Sequence, residues 1–219
     1  SSQKFNTSIT GDKSLSSRPM MRIVDPLSKM GAKIETVNGS LPIKINGQDL
    51  KSIDIEIKIP SAQIKSGLIL AALNTKGKTR IIENSVTRDH TEIMLESFGA
   101  DITTNLEGNK KIIEIHGKKE LSSNKIDVPN DLSSSAFFIV AALINQNSKI
   151  KLNDINVNQT RNGILIALEK MNAKISYTNK RKINNEEVFD IEVETSDLYG
   201  CELDANIAKL MIDEYPILS

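Results

Sequence analysis

Hydroxyl, amide and cationic side chains come together in one short segment of the sequence, where a helix is predicted to begin. Ser61-Ala62-Gln63-Ile64-Lys65-Ser66 follows a proline and opens an apolar run. The free N–H groups and the positive dipole end of a helix start bind anions. Ser61 and Gln63 would add side-chain donors there, and Lys65 would add charge. An ordinary helix start with Ser61 as its cap explains the same residues, so the segment alone leaves both interpretations open.

Two arginines precede other predicted helix starts. Arg88 lies just ahead of a helix that opens with Asp89 and Glu92, and Arg18 ends a polar loop. A guanidinium group binds phosphate or carboxylate in bidentate fashion. Each arginine is therefore a candidate anion clamp, with a solvated surface arginine as the alternative. Asp89 and Glu92 have the spacing of a capping box and are interpreted as structural.

Two adjacent acids, Asp213 and Glu214, lie among apolar residues close to Ser219. Neighbouring residues of a helix point about 100° apart, so the two acids cannot play the same role. An acid buried in apolar surroundings has a raised pKa and can act as a general base near neutral pH. An acidic helix cap is the alternative, and the spacing does not decide between the two.

The overall composition excludes several classes of function. Lys and Arg together number 28, as do Asp and Glu, which gives a formal net charge of zero. This balance argues against a nucleic-acid or membrane-surface partner bound through bulk charge. The single Cys201 excludes an internal disulfide, and with two histidines the chain is not expected to hold a metal. The nine-residue apolar run Ala136–Ile144 is too short to cross a bilayer. Without a signal-peptide pattern, we expect a cytoplasmic domain.

An internal repeat indicates how these segments are positioned. A nine-residue motif, in which a helix ends and a strand begins, occurs three times, as Pro26–Ile34, Met94–Ile102 and Ala167–Ile175. Apolar residues before each junction follow the period of a helix. Gly31, Gly99 and Asn172 stand at the three junctions and predict left-handed helix C-caps.

A second repeated segment alternates with the first. It begins at Pro60 and again at Pro129, each time leading into an apolar helix, and a further copy opens at Ala205. The intervening stretches Ile53–Ile59 and Val188–Val193 alternate apolar and polar residues as strands do. The sequence therefore predicts an α+β fold of repeated βαβαββ units around a helical core, two complete and a third truncated. No linker-like composition divides the chain, so residues 1–219 are predicted to form a single domain.

Four ordered motifs carry a family resemblance. They are Gly11-Asp12-x-Ser14-Leu15-x-x-Arg18-Pro19-Met20, Ser61-Ala62-Gln63-Ile64-Lys65-Ser66, Arg88-Asp89-His90-Thr91-Glu92-x-Met94-Leu95 and Met211-Ile212-Asp213-Glu214-Tyr215-Pro216. Over essentially all 219 residues, the chain resembles the 5-enolpyruvylshikimate-3-phosphate synthases, in the bacterial group with Ser-Ala-Gln. That resemblance implies an inverse α/β barrel domain and a two-domain enzyme with its active site in the cleft. The family's Lys-Ser and Gly-Asn-x-Gly-Thr segments are missing, so we expect one domain of such a synthase, without the other.

The resemblance also implies a reaction and a set of site residues. The enolpyruvyl group of phosphoenolpyruvate would pass to the 5-hydroxyl of shikimate 3-phosphate, with release of phosphate and without a metal or organic cofactor. Arg18 and Gln63 would bind phosphoenolpyruvate, and Asp213 would be the base that takes the hydroxyl proton. A monomer is expected. The residues implied to hold shikimate 3-phosphate are Ser61, Ala62, Gln63, Arg88 and Asp213.

Three alternative functions are considered, and each requires different features of the sequence. A UDP-N-acetylglucosamine enolpyruvyl transferase usually carries a reactive cysteine before the Arg-Pro pair, and the loop Asp12–Ser17 has none. A ligand-binding module without turnover is the expectation for these 219 residues acting alone. A purely structural repeat protein would not need Ser, Gln, Arg and Asp clustered at helix starts.

Overall fold

Strands and helices alternate along the first part of the chain in the order that the internal repeat predicts. The computed structural model describes residues 1–108 and 110–219, which divide into two compact units, Ser1–Asn124 and Lys125–Ser219. The helices of the first unit are α1 (Lys13–Ser16), α2 (Met21–Lys29), α3 (Ala62–Ala72) and α4 (His90–Ser97). Its strands are β1 (Thr7–Ile9), β2 (Lys33–Val37), β3 (Ser40–Asn46), β4 (Asp54–Ile57), β5 (Lys78–Glu83), β6 (Asp101–Glu107) and β7 (Lys110–His116).

The second unit continues the same alternation. Its strands are β8 (Lys149–Asn156), β9 (Lys174–Ile183) and β10 (Glu186–Glu194). Its helical elements are α5 (Leu132–Ile144), α6 (Gly163–Lys170), α7 (Ala205–Lys209), a 3₁₀ turn (Ile212–Glu214) and α8 (Tyr215–Leu218). The prediction of a single domain over residues 1–219 stays a prediction.

The strand orders confirm the predicted repeat. Among the described residues, the sheets have the orders β1-β3-β2, β4-β5-β7-β6 and β8-β10-β9. In the second of these β4 runs parallel to β5, and a parallel bridge between Asn130 and Ile155 occupies the same place beside β8. Two βαβαββ units are thus recognisable, from β4 to β7 and from Asn130 to β10. The strands β1, β2 and β3 with α2, and separately α7, belong to further incomplete units.

The predicted left-handed helix ends are confirmed. Gly31, Gly99 and Asn172 have φ values of +94°, +78° and +73°. Each follows a helix and precedes a strand, in the conformation that reverses the chain out of a helix. The repeat is therefore encoded in backbone conformation as well as in the apolar pattern.

Each unit has its own hydrophobic core built on one central helix. In the first unit, α3 packs against α2 and against the sheet, with Leu68, Ile69 and Ala72 fully buried. In the second unit, α5 packs on β8 and β10 through residues such as Ile139 and Leu143. The start of each central helix remains at the surface of its unit. No helix within the described ranges has the length and apolar character needed to cross a membrane.

Gly163 controls how closely α6 approaches α7. A Cβ atom at this position would lie 2.7 Å from the Ile207 carbonyl oxygen and 2.9 Å from the Leu210 carbonyl carbon, both backbone atoms. We expect Gly163→Ala to lower the free energy of unfolding by about 1–3 kcal/mol, because α7 must move away. Urea denaturation measures this loss. Gly200→Ala is the matched control, since no atom lies within 4 Å of its added Cβ. An equal effect of both substitutions would contradict the packing argument.

Candidate functional site

Ser61 caps α3 and still presents polar groups at the helix start. Its hydroxyl oxygen accepts a hydrogen bond from the Ile64 N–H at 3.4 Å, and its carbonyl accepts from the Lys65 N–H at 3.0 Å. The cap interpretation is therefore correct, and it is compatible with anion binding. The N–H groups of Ala62 and Gln63 precede the intrahelical acceptors and point out of the helix start. The Ser61 hydroxyl keeps its proton for donation, and Gln63 is exposed.

Lys65 does not reach the helix start, so the prediction that it adds charge there is wrong. Its side chain has 0% relative exposure, and its ammonium lies 3.1 Å from a Glu83 carboxylate oxygen and 2.7 Å from one of Glu92. It also donates to the Thr87 carbonyl at 3.3 Å. Lys65 shares the buried stripe of α3 with Leu68 and Ile69. The amine is therefore drawn into the unit, where two carboxylates neutralise it.

The same contacts bring Arg88 to the start of α3. Lys65 binds the carbonyl of Thr87, the residue before Arg88, and the Ser66 hydroxyl lies 2.6 Å from that of Thr91 in the first turn of α4. Thr87 in turn donates to Glu83 at 2.5 Å. Arg88 is half-buried between these anchored residues. The beginnings of α3 and α4 are thus adjacent, and Arg88 lies in the segment that joins β5 to the start of α4.

Asp89 and Glu92 are structural, although not as a capping box. Asp89 is the N-cap residue of α4 but makes no side-chain cap hydrogen bond. Glu92 is buried and lies 3.6 Å from the ammonium of Lys111, which is also 3.6 Å from Asp89. Glu92 pairs with Lys65 and Lys111, and Asp89 pairs with Lys111. The prediction that both acids are structural is therefore correct, whereas the predicted capping-box hydrogen bonds are not formed.

Arg18 belongs to a different segment of the first unit. It is exposed, its N–H donates to the Leu15 carbonyl at 3.1 Å, and it lies three residues ahead of α2. The loop before it is ordered by Asp12, which caps α1 through the Leu15 N–H at 2.7 Å. The role of Arg18 toward phosphoenolpyruvate stays a prediction.

The structure assigns different surroundings to the two adjacent acids of the second unit. Asp213 is exposed, whereas Glu214 has 2% relative exposure and accepts a hydrogen bond from the Ser133 hydroxyl. Both belong to the short 3₁₀ turn, and the Glu214 N–H donates to the Met211 carbonyl at 3.0 Å. Glu214 therefore holds the turn against α5, and Asp213 is the acid that a ligand can reach.

Sequence reasoning missed a polar cluster at the start of α5. Arg161, just ahead of α6, lies 3.0 Å from Asp131 and donates to the Ser133 hydroxyl at 2.6 Å. Burial alone would raise the pKa of Asp131, but hydrogen bonds from Ser134 and the charge of Arg161 outweigh it and lower that pKa. The internal repeat could have indicated Arg161 as a candidate, because Arg161 precedes α6 as Arg88 precedes α4.

Repeated βαβαββ units with polar groups gathered at helix starts define an enolpyruvyl transferase-like fold. This assignment agrees with a solved structure described as EPSP synthase from Acinetobacter baumannii, which superposes with a TM-score of 0.88 at 42% sequence identity. The matched region covers 99% of this chain and 48% of that one. A family model described as EPSP synthase (3-phosphoshikimate 1-carboxyvinyltransferase) matches residues 1–219. The chain therefore belongs to the EPSP synthase family.

Curated relatives agree with this assignment. A Thermoanaerobacter sp. (strain X514) protein named 3-phosphoshikimate 1-carboxyvinyltransferase is 44% identical over 218 residues, covering 99% of this chain and 51% of the relative. A Magnetococcus marinus protein of the same name is 46% identical over 218 residues, covering 99% of this chain and 48% of the relative. The chain thus spans about half the length of these relatives.

Proposed function

We propose that this chain forms part of a complete enzyme that transfers the enolpyruvyl group of phosphoenolpyruvate to shikimate 3-phosphate. A carbon–oxygen bond forms between the 5-hydroxyl oxygen and the enolpyruvyl group, the bond from that group to its phosphate breaks, and inorganic phosphate leaves. The observation that carries this proposal is the Ser61-capped start of α3, which lies next to the start of α4 that Arg88 precedes. The similarity to relatives named 3-phosphoshikimate 1-carboxyvinyltransferase supports these two anionic substrates.

The first unit would hold the phosphate of shikimate 3-phosphate. The N–H groups of Ala62 and Gln63 and the hydroxyl of Ser61 can donate to phosphate oxygens, and the positive end of the helix favours the charge. Arg88 would add charge-assisted hydrogen bonds from its fork. Because Lys65 is paired with Glu83 and Glu92, the proposal gives the cationic role at this phosphate to Arg88. Gln63 and Arg18 would bind phosphoenolpyruvate.

Asp213 would act as the general base for the 5-hydroxyl of shikimate 3-phosphate. Its exposure allows a substrate hydroxyl to approach, and its neighbour Glu214 anchors the turn that carries it. Removing this proton as the new carbon–oxygen bond forms lowers the barrier to transfer. The complete enzyme would work as a monomer in the cytoplasm. The 219 residues alone would bind shikimate 3-phosphate weakly, without turnover.

Calorimetry with shikimate 3-phosphate tests the binding part of this proposal on the 219-residue chain. We expect Arg88→Ala to weaken binding by about 10- to 100-fold, because charge-assisted hydrogen bonds contribute about 1.5–3 kcal/mol. Arg80→Ala is the matched control, since Arg80 pairs with Asp54 and Glu114 on the sheet. It should leave the affinity unchanged.

Two results would contradict the proposal. Absence of heat with millimolar shikimate 3-phosphate would count against the site, and so would equal affinities of the Arg88→Ala and wild-type chains. A coupled phosphate-release assay, run beside calorimetry, tests turnover separately. Robust phosphate release by the 219-residue chain would show that it is active alone.

A further inference from the structure

The second unit repeats the arrangement proposed to bind phosphate, with an acidic cap residue in place of the serine. Asp131 caps α5 as Ser61 caps α3, and Arg161 precedes α6 as Arg88 precedes α4. The neutral cap of the first unit is thus replaced by a carboxylate, which lies 3.0 Å from the guanidinium of Arg161. The charge of Arg161 thus has a carboxylate of its own unit as a partner at this helix start.

Arg161 is joined to the turn that carries Asp213 by a directed chain of hydrogen bonds. Its second terminal nitrogen donates to the Ser133 hydroxyl at 2.6 Å, and that hydroxyl donates to Glu214. A serine hydroxyl has one proton to donate and lone pairs to accept with. Because Arg161 can only donate, it orients the proton of Ser133 toward the carboxylate of Glu214. The buried carboxylate thus has a fixed partner on α5.

The turn needs this anchor because its own structure is short. The 3₁₀ segment Ile212–Glu214 has three residues. Met211 is buried before it, and the Tyr215 hydroxyl donates to the Ala208 carbonyl at 2.9 Å after it. Neither contact is a hydrogen bond to α5, whereas Glu214, the last residue of the segment, accepts one from Ser133 of α5. Because Asp213 immediately precedes Glu214, this tie constrains the backbone from which the Asp213 side chain projects.

We propose that Arg161 and Ser133 are positioning residues that act through Glu214 to orient the carboxylate of Asp213. The proposal rests on the proposed function, in which Asp213 takes the proton of the 5-hydroxyl. Arg161 and Ser133 do not touch the reacting atoms in this scheme. They hold the base in the geometry that proton transfer requires, and a displacement of about 1 Å can cost about 100-fold in rate.

Steady-state kinetics of Ser133→Ala in the complete enzyme tests the proposal. We expect kcat to fall about 10- to 100-fold, while KM for both substrates changes by less than about threefold. Ser133→Thr keeps the hydroxyl and should recover most of the rate. Arg161→Lys keeps a charge beside Asp131 without the fork that reaches both partners, and should give an intermediate kcat. Ser134→Ala is the matched control, because Ser134 bonds Asp131 and leaves the tie to Glu214 intact.

A double-mutant cycle with Asp213→Asn separates positioning from a general loss of stability. Once the base is removed, Ser133→Ala should lower the residual kcat by less than about threefold. An equal loss in both backgrounds would overturn the proposal, as would a kcat of Ser133→Ala within about threefold of wild type. If the wild-type complete enzyme releases no phosphate, the proposed function itself fails, and the role of Asp213 as a base fails with it.

Hydrogen exchange in the 219-residue chain provides a readout that does not depend on activity. Ser133→Ala should speed exchange at the Glu214 amide about tenfold or more, because local opening of the turn becomes easier. The amides of β10 serve as the internal control and should keep their protection. Unchanged exchange at Glu214 would show that Ser133 does not hold the turn, which overturns the proposal even in a fully active enzyme.

Discussion

Lys65→Ala lowers the free energy of unfolding of the first unit by about 3–5 kcal/mol, which is the expected cost of breaking a buried ion pair. The substitution removes the ammonium that lies 3.1 Å from Glu83 and 2.7 Å from Glu92. These acids have relative exposures of 1% and 6%, so water cannot replace the lost charge without a structural change. Lys111, at 3.6 Å from Glu92, compensates that carboxylate in part.

Urea denaturation followed by circular dichroism measures this effect. Lys78→Ala is the matched control, because Lys78 pairs with Glu114 at 3.0 Å but its side chain is 44% exposed. An exposed pair contributes about 0–1 kcal/mol. Similar losses for Lys65→Ala and Lys78→Ala would show that the buried network is not energetically distinct from the surface pairs.

A combined variant identifies the charge as the cause of the expected loss. Lys65→Met keeps most of the side-chain volume but leaves both carboxylates without their central cation, so it should also destabilise the unit. Adding Glu83→Gln and Glu92→Gln removes the uncompensated charge and should restore part of the stability, because a neutral replacement of a buried ionic network is often tolerated. If the triple variant were less stable than Lys65→Met, packing rather than charge would explain the effect.

Asp213→Asn in the complete enzyme is expected to lower kcat by about 10²- to 10⁴-fold, the contribution of a general base. Asparagine has nearly the same shape, so the affinity for shikimate 3-phosphate should stay within about threefold of wild type. A phosphate-release assay measures kcat, and calorimetry on the same preparation measures affinity. The combination distinguishes loss of the base from loss of the site.

Asp197→Asn is the control for this experiment. Asp197 is an exposed carboxylate on the loop after β10, and its backbone carbonyl accepts from Asn172 at 3.0 Å. Its replacement should leave kcat unchanged. A near-wild-type rate of Asp213→Asn would exclude Asp213 as the base, and Glu214 would not replace it readily, because it is buried against Ser133.

Local features of the fold could be predicted because their causes are local. A glycine or asparagine that ends a helix adopts positive φ whatever surrounds it, and Gly31, Gly99 and Asn172 do so. Alternation over Ile53–Ile59 likewise predicted β4, where Ile55 and Ile57 are buried. The alternation fails in β10, where Asp190 and Ile191 are both buried beside a register shift. This irregularity arises when β10 pairs with its neighbouring strands, so the sequence of β10 alone does not predict it.

The candidate site was likewise predicted only in part. Ser61 and Arg88 stand at helix starts, which short-range patterns reveal, and the structure places these two starts side by side. Lys65 was predicted to add charge at the start of α3, and the structure buries it instead. Its position on the face of Leu68 and Ile69 could have indicated burial, but its partners Glu83 and Glu92 lie 18 and 27 positions away along the chain.

The sequence by itself determined the repeated unit, the ends of its helices and the helix starts at which polar groups gather. Tertiary structure alone decided which charges remain available to a ligand. Arg161, just ahead of α6, pairs with Asp131 and Ser133, which lie about 30 positions earlier in the chain. Asp213 and Glu214 are adjacent, yet one is exposed and the other buried. The physical reason is that neutralisation and burial of a charge depend on groups distant in sequence, which fold into contact only when the helices and sheets pack.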